Sequence, residues 1–229
     1  MSGIRLPVEA ANNRARGKLL LKVCGMRAPE NIRALLELKP DFLGFIFYPG
    51  SSRYVGAGLD AALLHQFPAH TRKVGVFVNA GPESILAAAR EYGLEAVQLH
   101  GEESPALCRQ LRNQGLLVFK AFSIGEGFDF SSLAAYEGSC DFYLFDTKGP
   151  QYGGNGTTFN WDVLTGYNLA TPFFLSGGVN LEHAAQLSKL SLPALAGIDI
   201  NSRFETKPGM KDVGKVAAFF KNLSQGEFI

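Results

Sequence analysis

Short apolar runs and helix-periodic segments alternate along most of this chain. The first run, Leu19–Val23, is followed by Pro29-Glu30-Asn31-Ile32-Arg33-Ala34-Leu35-Leu36, with proline where a helix begins. Phe42–Phe47 precedes a turn-rich loop and a short helix over Ala61–Gln66. Lys73–Val78 leads to a helix over Pro82–Glu91, and Ala96–Leu99 leads to another over Ser104–Asn113. Leu117–Ala121, Phe142–Phe145, Phe173–Leu175 and Leu195–Ile200 complete a set of eight strands. Helical patterns follow the later runs at Trp161–Leu164, Leu181–Leu187 and Lys211–Leu223; the one after the fifth run, near Phe130–Tyr136, is poorly defined. Strands that alternate with helices demand a parallel sheet, and eight repeats favour an α/β fold of the single (β/α)8 barrel type, the TIM barrel. No linker or shift of composition divides the chain. The expected organisation is a flexible lead-in over residues 1–18 and one barrel over 19–229.

Alternation along a strand then sorts side chains into inward and outward sets. An inward Cys24 brings Lys22 with it, and an inward Asp146 brings Leu144. Gln98 and His100 share one face of the fourth strand; Gly197, Asp199 and Asn201 share one face of the eighth. Cys24, Asn79, His100, Asp146 and Asn201 are thus expected to collect inside the C-terminal rim, where barrel active sites form. The first and eighth strands of a closed barrel are neighbours, so Lys22 is expected to pair with Asp199. Each residue also has a plainer reading: a cysteine can be a small buried hydrophobe, a strand-end aspartate a turn former. Convergence on one rim favours chemistry.

Composition narrows the picture. The 229 residues are 46% hydrophobic and 19% charged, with 26 glycines, which suits a large core with many tight turns. A net charge of +1 supplies no field for nucleic acid or an anionic membrane surface. No segment reaches the roughly 18 apolar residues of a membrane span, and the N-terminus lacks the apolar stretch of a secretion signal. Cys24, Cys108 and Cys140 fall in no metal-ligand spacing and cannot all pair, so a reducing, cytoplasmic setting is expected.

The loops after the strands carry candidate anion sites. Ser176-Gly177-Gly178 follows the seventh strand and Asn201-Ser202-Arg203 the eighth, the usual place of a phosphate cradle in such barrels. Arg53, on the loop after the second strand, suits bidentate capture of a carboxylate or else is a solvated surface cation. Gly149–Thr157 reads as a mobile loop able to fold over a ligand.

Taken in order, Lys22-Val23-Cys24-Gly25-Met26, Phe47-Tyr48-Pro49-Gly50-Ser51-Ser52-Arg53-Tyr54-Val55, Gln98-Leu99-His100-Gly101, Phe145-Asp146, Gly153-Gly154-Asn155-Gly156-Thr157, Leu175-Ser176-Gly177-Gly178-Val179 and Gly197-Ile198-Asp199 with Pro208-Gly209-Met210-Lys211-Asp212 resemble the motif set of the phosphoribosylanthranilate isomerases. These are barrel enzymes of tryptophan biosynthesis. The resemblance runs from about residue 20 to 220. It implies an Amadori rearrangement with Asp146 as general acid and Cys24 as general base. Arg53 would hold the anthranilate carboxylate, His100 would contact substrate, and Gly177, Gly178, Ser202 and Arg203 would hold phosphate. It implies a small phosphorylated substrate, no metal or organic cofactor, and a monomer or homodimer. Arg203 stands where the family has a small residue, Asn155 replaces a hydroxyl residue and Asn160 an aspartate.

The roles set electrostatic demands. A free thiol titrates near about 8.5, and an aspartate acting as an acid must be lifted from about 3.9. Phe145 is expected to desolvate Asp146, and Lys22 to offset negative charge beneath Cys24. Three other functions compete. The histidine-pathway sugar isomerase resembles a pair of aspartates at the ends of strands one and five, where this chain has Cys24 and Ala121–Phe122. A phosphosugar epimerase wants metal-binding rim residues beyond His100. A silent barrel would bind a phosphorylated ligand without turning it over.

Overall fold

In a computed structural model of the chain, residues 18–147 and 161–225 are described. The expected lead-in up to Gly17, the loop 149–157, Asn155 and Asn160 lie outside the described residues. Eight parallel strands close into a barrel in chain order, β1 next to β2 and onward to β8 beside β1. They are β1 Leu20–Val23, β2 Phe42–Ile46, β3 Arg72–Phe77, β4 Ala96–Leu99, β5 Leu117–Ile124, β6 Phe142–Thr147, β7 Phe173–Leu175 and β8 Leu195–Ile200. Helices α1 Pro29–Leu36, α2 Ala61–His65, α3 Pro82–Tyr92 and α4 Pro105–Asn113 follow the first four strands. Pro29, Pro82 and Pro105 each occupy the first helical turn, where a missing N–H costs nothing. Ser104 caps α4 by accepting from the Leu107 N–H.

The second half departs from the expected pattern. Phe130–Tyr136 and Trp161–Gly166 are 3-10 turns. After β7 comes a 3-10 turn, Leu181–His183, that runs into the one-turn α5, Ala184–Leu187. Trp161–Gly166 carries Val163, Thr165 and Gly166, all weak helix formers. Lys211, expected to open the last helix, instead lies in a hairpin of β9 Glu205–Lys207 with β10 Met210–Lys211. Helix α6 begins only at Val213 and runs to Gln225.

Two cores result. The outer one fills the space between strands and helices, with Val23, Phe45, Leu99, Phe145, Ile198 and Phe219 among its fully buried members. The inner one plugs the barrel with Leu20, Phe42, Val74, Ala96, Phe119, Phe142 and Phe174. Its rings meet mostly edge to face, Phe42 on Phe119 at 5.4 Å and Phe119 on Phe174 at 5.2 Å. Phe145 therefore points away from Asp146. It packs on Phe130, Tyr167 and Phe173, and its expected role in desolvating the carboxyl is overturned by simple alternation. Asn79 is likewise not inward. Val76 and Val78 take the interior places on and beyond β3. Asn79, at φ +53°, accepts the Glu102 N–H within the loops above β3 and β4.

Candidate active site

Two residue steps above the aromatic plug, the interior turns polar. Lys22 on β1 lies opposite Asp199 on β8 in the strand register, and Nζ meets Oδ1 at 2.9 Å with both side chains buried. The expected pair is present. Ser176 Oγ donates to the other carboxylate oxygen at 3.4 Å. The register skips a residue between β7 and β8, pairing Phe173 with Leu195 but Phe174 with Gly197. That skip turns the odd-numbered Gly197 and Asp199 inward beside the even-numbered Phe174 and Ser176.

One step higher stands Cys24, its N–H bonded to the Ile200 carbonyl. It is 4% exposed. The neighbouring interior place on β2 is Gly44, where a Cβ would lie 2.8 Å from the Cys24 sulfur. The thiol therefore occupies space that any larger residue at position 44 would fill. Burial pushes the Cys24 thiol above its usual range, with Asp199 adding to the shift; Lys22 and Lys211 pull it back. Burial draws Lys22 down, but Asp199 and Cys24 outweigh it and hold the ammonium above its ordinary range. Burial lifts Asp199, with Asp146 in the same direction and Lys22 opposing.

Asp146 ends the inward row of β6. His100 Nε2 lies 3.4 Å from its Oδ2, and His100 Nδ1 lies 2.7 Å from the Gln98 amide nitrogen. With that amide donating, the imidazole carries its proton on Nε2 and presents it to Asp146. The amide oxygen of Gln98 is then buried without a hydrogen-bond partner. The His100 backbone is fixed by its N–H on the Phe77 carbonyl and by Glu103, which accepts from the N–H groups of Asn79 and Gly101.

Arg53 reaches the rim because the loop after β2 turns back on itself. The Tyr54 N–H bonds the Ser51 carbonyl and the Val55 N–H the Ile46 carbonyl, while Ser51 Oγ accepts from the Arg53 N–H. Gly177 and Gly178 have φ of +84° and +65°, which exposes successive backbone groups that a side chain would cover. Asn180 caps the following turn by accepting from Glu182 and His183 N–H groups. Ser202 and Arg203 form a 3-10 turn after β8; Arg203 is exposed, and its carbonyl accepts from Lys215.

Cys24, Asp146, Arg53, His100, Gly177, Gly178, Ser202 and Arg203, the residues nominated from sequence, all line one cleft at the C-terminal mouth of the barrel. Gln98, Ser176, Asp199 and Asn201 line it too. Sequence reasoning missed Glu205, which is ion-paired to both Arg53 and Lys211. Its partner Arg53 lies 152 positions away, and no local pattern signals such a contact. No group of three or more His, Cys, Asp or Glu able to hold a metal occurs among the described residues. No helix among them is long and apolar enough to cross a membrane.

A family model described as N-(5'phosphoribosyl)anthranilate (PRA) isomerase matches residues 21–222. The chain belongs to that family. It is 46% identical over 207 residues to an N-(5'-phosphoribosyl)anthranilate isomerase of Phocaeicola vulgatus, covering 90% of this chain and 98% of the relative. Against the Parabacteroides distasonis isomerase the identity is 44%, over 90% of this chain and 93% of the relative. The solved phosphoribosyl anthranilate isomerase of Thermotoga maritima superposes with a TM-score of 0.81 at 35% identity, covering 91% and 100%. Another isomerase of the family, solved in complex with reduced 1-(O-carboxyphenylamino)-1-deoxyribulose 5-phosphate, superposes at 0.75 with 31% identity, covering 91% of this chain and all of that one. The barrel is thus shared with solved members of the family.

Proposed function

We propose that this chain isomerises N-(5'-phosphoribosyl)anthranilate to 1-(2-carboxyphenylamino)-1-deoxyribulose 5-phosphate, with Asp146 as general acid and Cys24 as general base. The observation that carries the assignment is the placement of a thiol and a carboxyl on the wall of one cleft, reached from β1 and β6. Asp146 protonates the furanose ring oxygen, the bond from that oxygen to C1 breaks, and the nitrogen lone pair forms a Schiff base. Cys24 then removes the proton from C2, and the electron pair of that C–H bond becomes the C1–C2 double bond of an enolamine. Protonation at C1 and loss of the C2 hydroxyl proton give the ketone. The substrate's nitrogen is the electron sink, so the route uses no cofactor.

The surroundings support each role. The cationic Schiff base acidifies C2–H and favours a thiolate nearby, adding to the pull of Lys22 and Lys211 against burial. For Asp146 the Gln98–His100 pair offers two arrangements. If the Gln98 amide reverses, Nδ1–H donates to its oxygen and Nε2 accepts the acid proton of Asp146. That contact holds the neutral carboxyl in place until the ring oxygen comes within reach and takes its proton, as general acid catalysis requires. In either orientation one polar atom of Gln98 is left for a ligand. Arg53 takes the anthranilate carboxylate, and the backbone around Gly177, Gly178, Ser202 and Arg203 takes the phosphate. The three cysteines are free and buried, in keeping with a reducing, cytoplasmic setting. Residues 19–229 act as one catalytic barrel, as monomer or homodimer; a Thermotoga maritima relative has been solved as monomers generated from a dimeric isomerase.

The test follows anthranilate fluorescence while the unstable substrate is generated in situ. Turnover by the wild type, and a loss of about 10²–10⁴ in kcat for Asp146→Val with its melting transition retained, is the expected result. Ligand binding without product, under conditions where a known isomerase turns over, would replace the enzyme with a silent binder.

A further inference from the structure

Glu205 opens β9, on the hairpin that leaves the top of β8, and its side chain is 4% exposed. It is a buried carboxylate with no part in the chemistry above, and its oxygens are crowded with donors. Arg53 Nε lies 2.9 and 3.0 Å from the two oxygens and Nη2 lies 2.6 Å from one of them. Lys211 Nζ approaches the other at 2.5 Å, and the Gly209 N–H donates to it at 3.1 Å. Lys211 also donates to Asn201 Oδ1 at 2.9 Å. The hairpin is anchored in turn: Asn31 on α1 donates to the Lys211 carbonyl and accepts its N–H, at 2.9 and 2.7 Å.

This geometry constrains the guanidinium more than the loop after β2 does alone. A guanidinium presents a side edge, Nε with one terminal nitrogen, and an end edge of both terminal nitrogens. Glu205 occupies the side edge. The end edge remains available, with Nη1 only 3.4 Å from Ser52 Oγ. The arginine stem packs against Gly25, where a Cβ would stand 2.7 Å from Arg53 Cδ, so any larger residue at position 25 would displace it. An isolated Arg–Glu pair would be neutral and would attract a second carboxylate weakly. Lys211 on the same Glu205 restores an excess of positive charge where the cleft needs it.

We propose that Glu205 is a positioning residue that fixes the side edge of Arg53, so that the end edge meets the aromatic carboxylate of the substrate, with Lys211 balancing the added negative charge. The inference rests on the reading that Arg53 holds that carboxylate. It assigns to Glu205 a share of the discrimination between substrates that carry the carboxylate and those that do not, with no direct contact to substrate.

The experiment compares two substrates made in situ from ribose 5-phosphate, one with anthranilate and one with aniline, in the wild type, Glu205→Gln, Arg53→Ala and the double variant. The wild type is expected to prefer the carboxylated substrate. Glu205→Gln should lower that preference, as a ratio of kcat/KM values, by about ten- to hundredfold, the scale of a misplaced binding group. The loss should appear in KM for the carboxylated substrate. Glu205→Gln added to Arg53→Ala should change the preference no further, because it acts through the arginine. Glu205→Asp keeps the charge and shortens the reach by one methylene. It carries the same comparison should Glu205→Gln not accumulate as folded protein. A fall by one common factor on both substrates, or full additivity with Arg53→Ala, would make Glu205 merely structural and overturn the proposal. A wild type that turns over neither substrate would instead sink the reading on which it rests.

Discussion

The two ends of the barrel interior use the same alternating positions and hold opposite chemistry. At the lower end Leu20, Phe42, Phe119, Phe142 and Phe174 form a dry plug. Two residues on along β1 and β4, about 7 Å, stand Lys22 and Gln98; two more bring Cys24 and His100 to the cleft. What separates the ends is how polarity is satisfied. The plug carries none, whereas at the top Lys22 is bonded across strands to Asp199, and His100 is bonded to Gln98 along its own strand and faces Asp146 on β6. Burial is tolerable for these groups because they meet one another, and the plug keeps water from reaching them from below. A buried lysine elsewhere makes the same point. Lys120 lies outside the barrel interior, bonded to the carbonyls of Leu99, Gly101 and Ala121 and 3.3 Å from Glu103. It is satisfied by backbone and Glu103, and the thiols near it, Cys108 and Cys140, are not among the residues lining the cleft, so its role is structural.

Substitutions at the two ends should therefore separate stability from turnover. Phe119→Ala opens a cavity in the plug and should cost about 3–5 kcal/mol in chemical denaturation, while the folded fraction keeps kcat within about tenfold, the scale of an indirect displacement rather than of a lost catalytic group. A catalytic loss matching that of Asp146→Val would erase the distinction between the ends. Lys22→Met should act on both properties. Leaving Asp199 buried without its partner should cost about 3 kcal/mol. Loss of the Lys22 charge removes a downward pull on Cys24, so the alkaline-rising limb of kcat should move to higher pH. A denaturation midpoint equal to that of the wild type would discard the pair as a stabilising feature.

The smallest effect concerns acid. Glu205 is lowered from its usual range: burial raises it, but the Arg53 hydrogen bonds and Lys211 outweigh that. A carboxylate held low in the folded state stabilises above its unfolded value, near 4.5, and loses that contribution as pH falls through its folded value. Glu205→Gln should accordingly show a shallower loss of stability than the wild type below about pH 4.5, the ordinary glutamate range. Parallel stability curves through that range would mean that the ion cluster contributes nothing to acid sensitivity.

Much of this was readable in the sequence because it follows from period-two alternation. Eight apolar runs gave the barrel, and parity placed Cys24, Lys22, Asp146, Gln98 and His100 correctly inside. Strand adjacency placed Asp199 beside Lys22. The failures came where alternation was misapplied or where nothing local was encoded. Phe145 is next to Asp146 in the chain and hence on the opposite face of the sheet. Asn79 follows Val74, Val76 and Val78, the interior places on and beyond β3, so continued alternation puts it on the outer side. Of the 3-10 turns that replace expected helices in the second half, Trp161–Gly166 carries weak helix formers, whereas Phe130–Tyr136 and Leu181–His183 include leucine, alanine or glutamate, and composition does not account for them. Glu205 was invisible because its role depends on a fold that joins it to Arg53 and on a hairpin that the helical reading of Lys211 concealed.

The central claim is that a thiol on β1 takes a proton from the sugar whose ring oxygen is served by a carboxyl on β6. Its most direct test is Cys24→Ala, assayed by anthranilate fluorescence with substrate generated in situ and with its denaturation curve measured alongside. The account predicts that kcat falls by about 10²–10⁴ while the denaturation midpoint stays close to that of the wild type. A folded Cys24→Ala protein that keeps more than about a tenth of wild-type turnover, above the floor set by general acid–base catalysis, would contradict it.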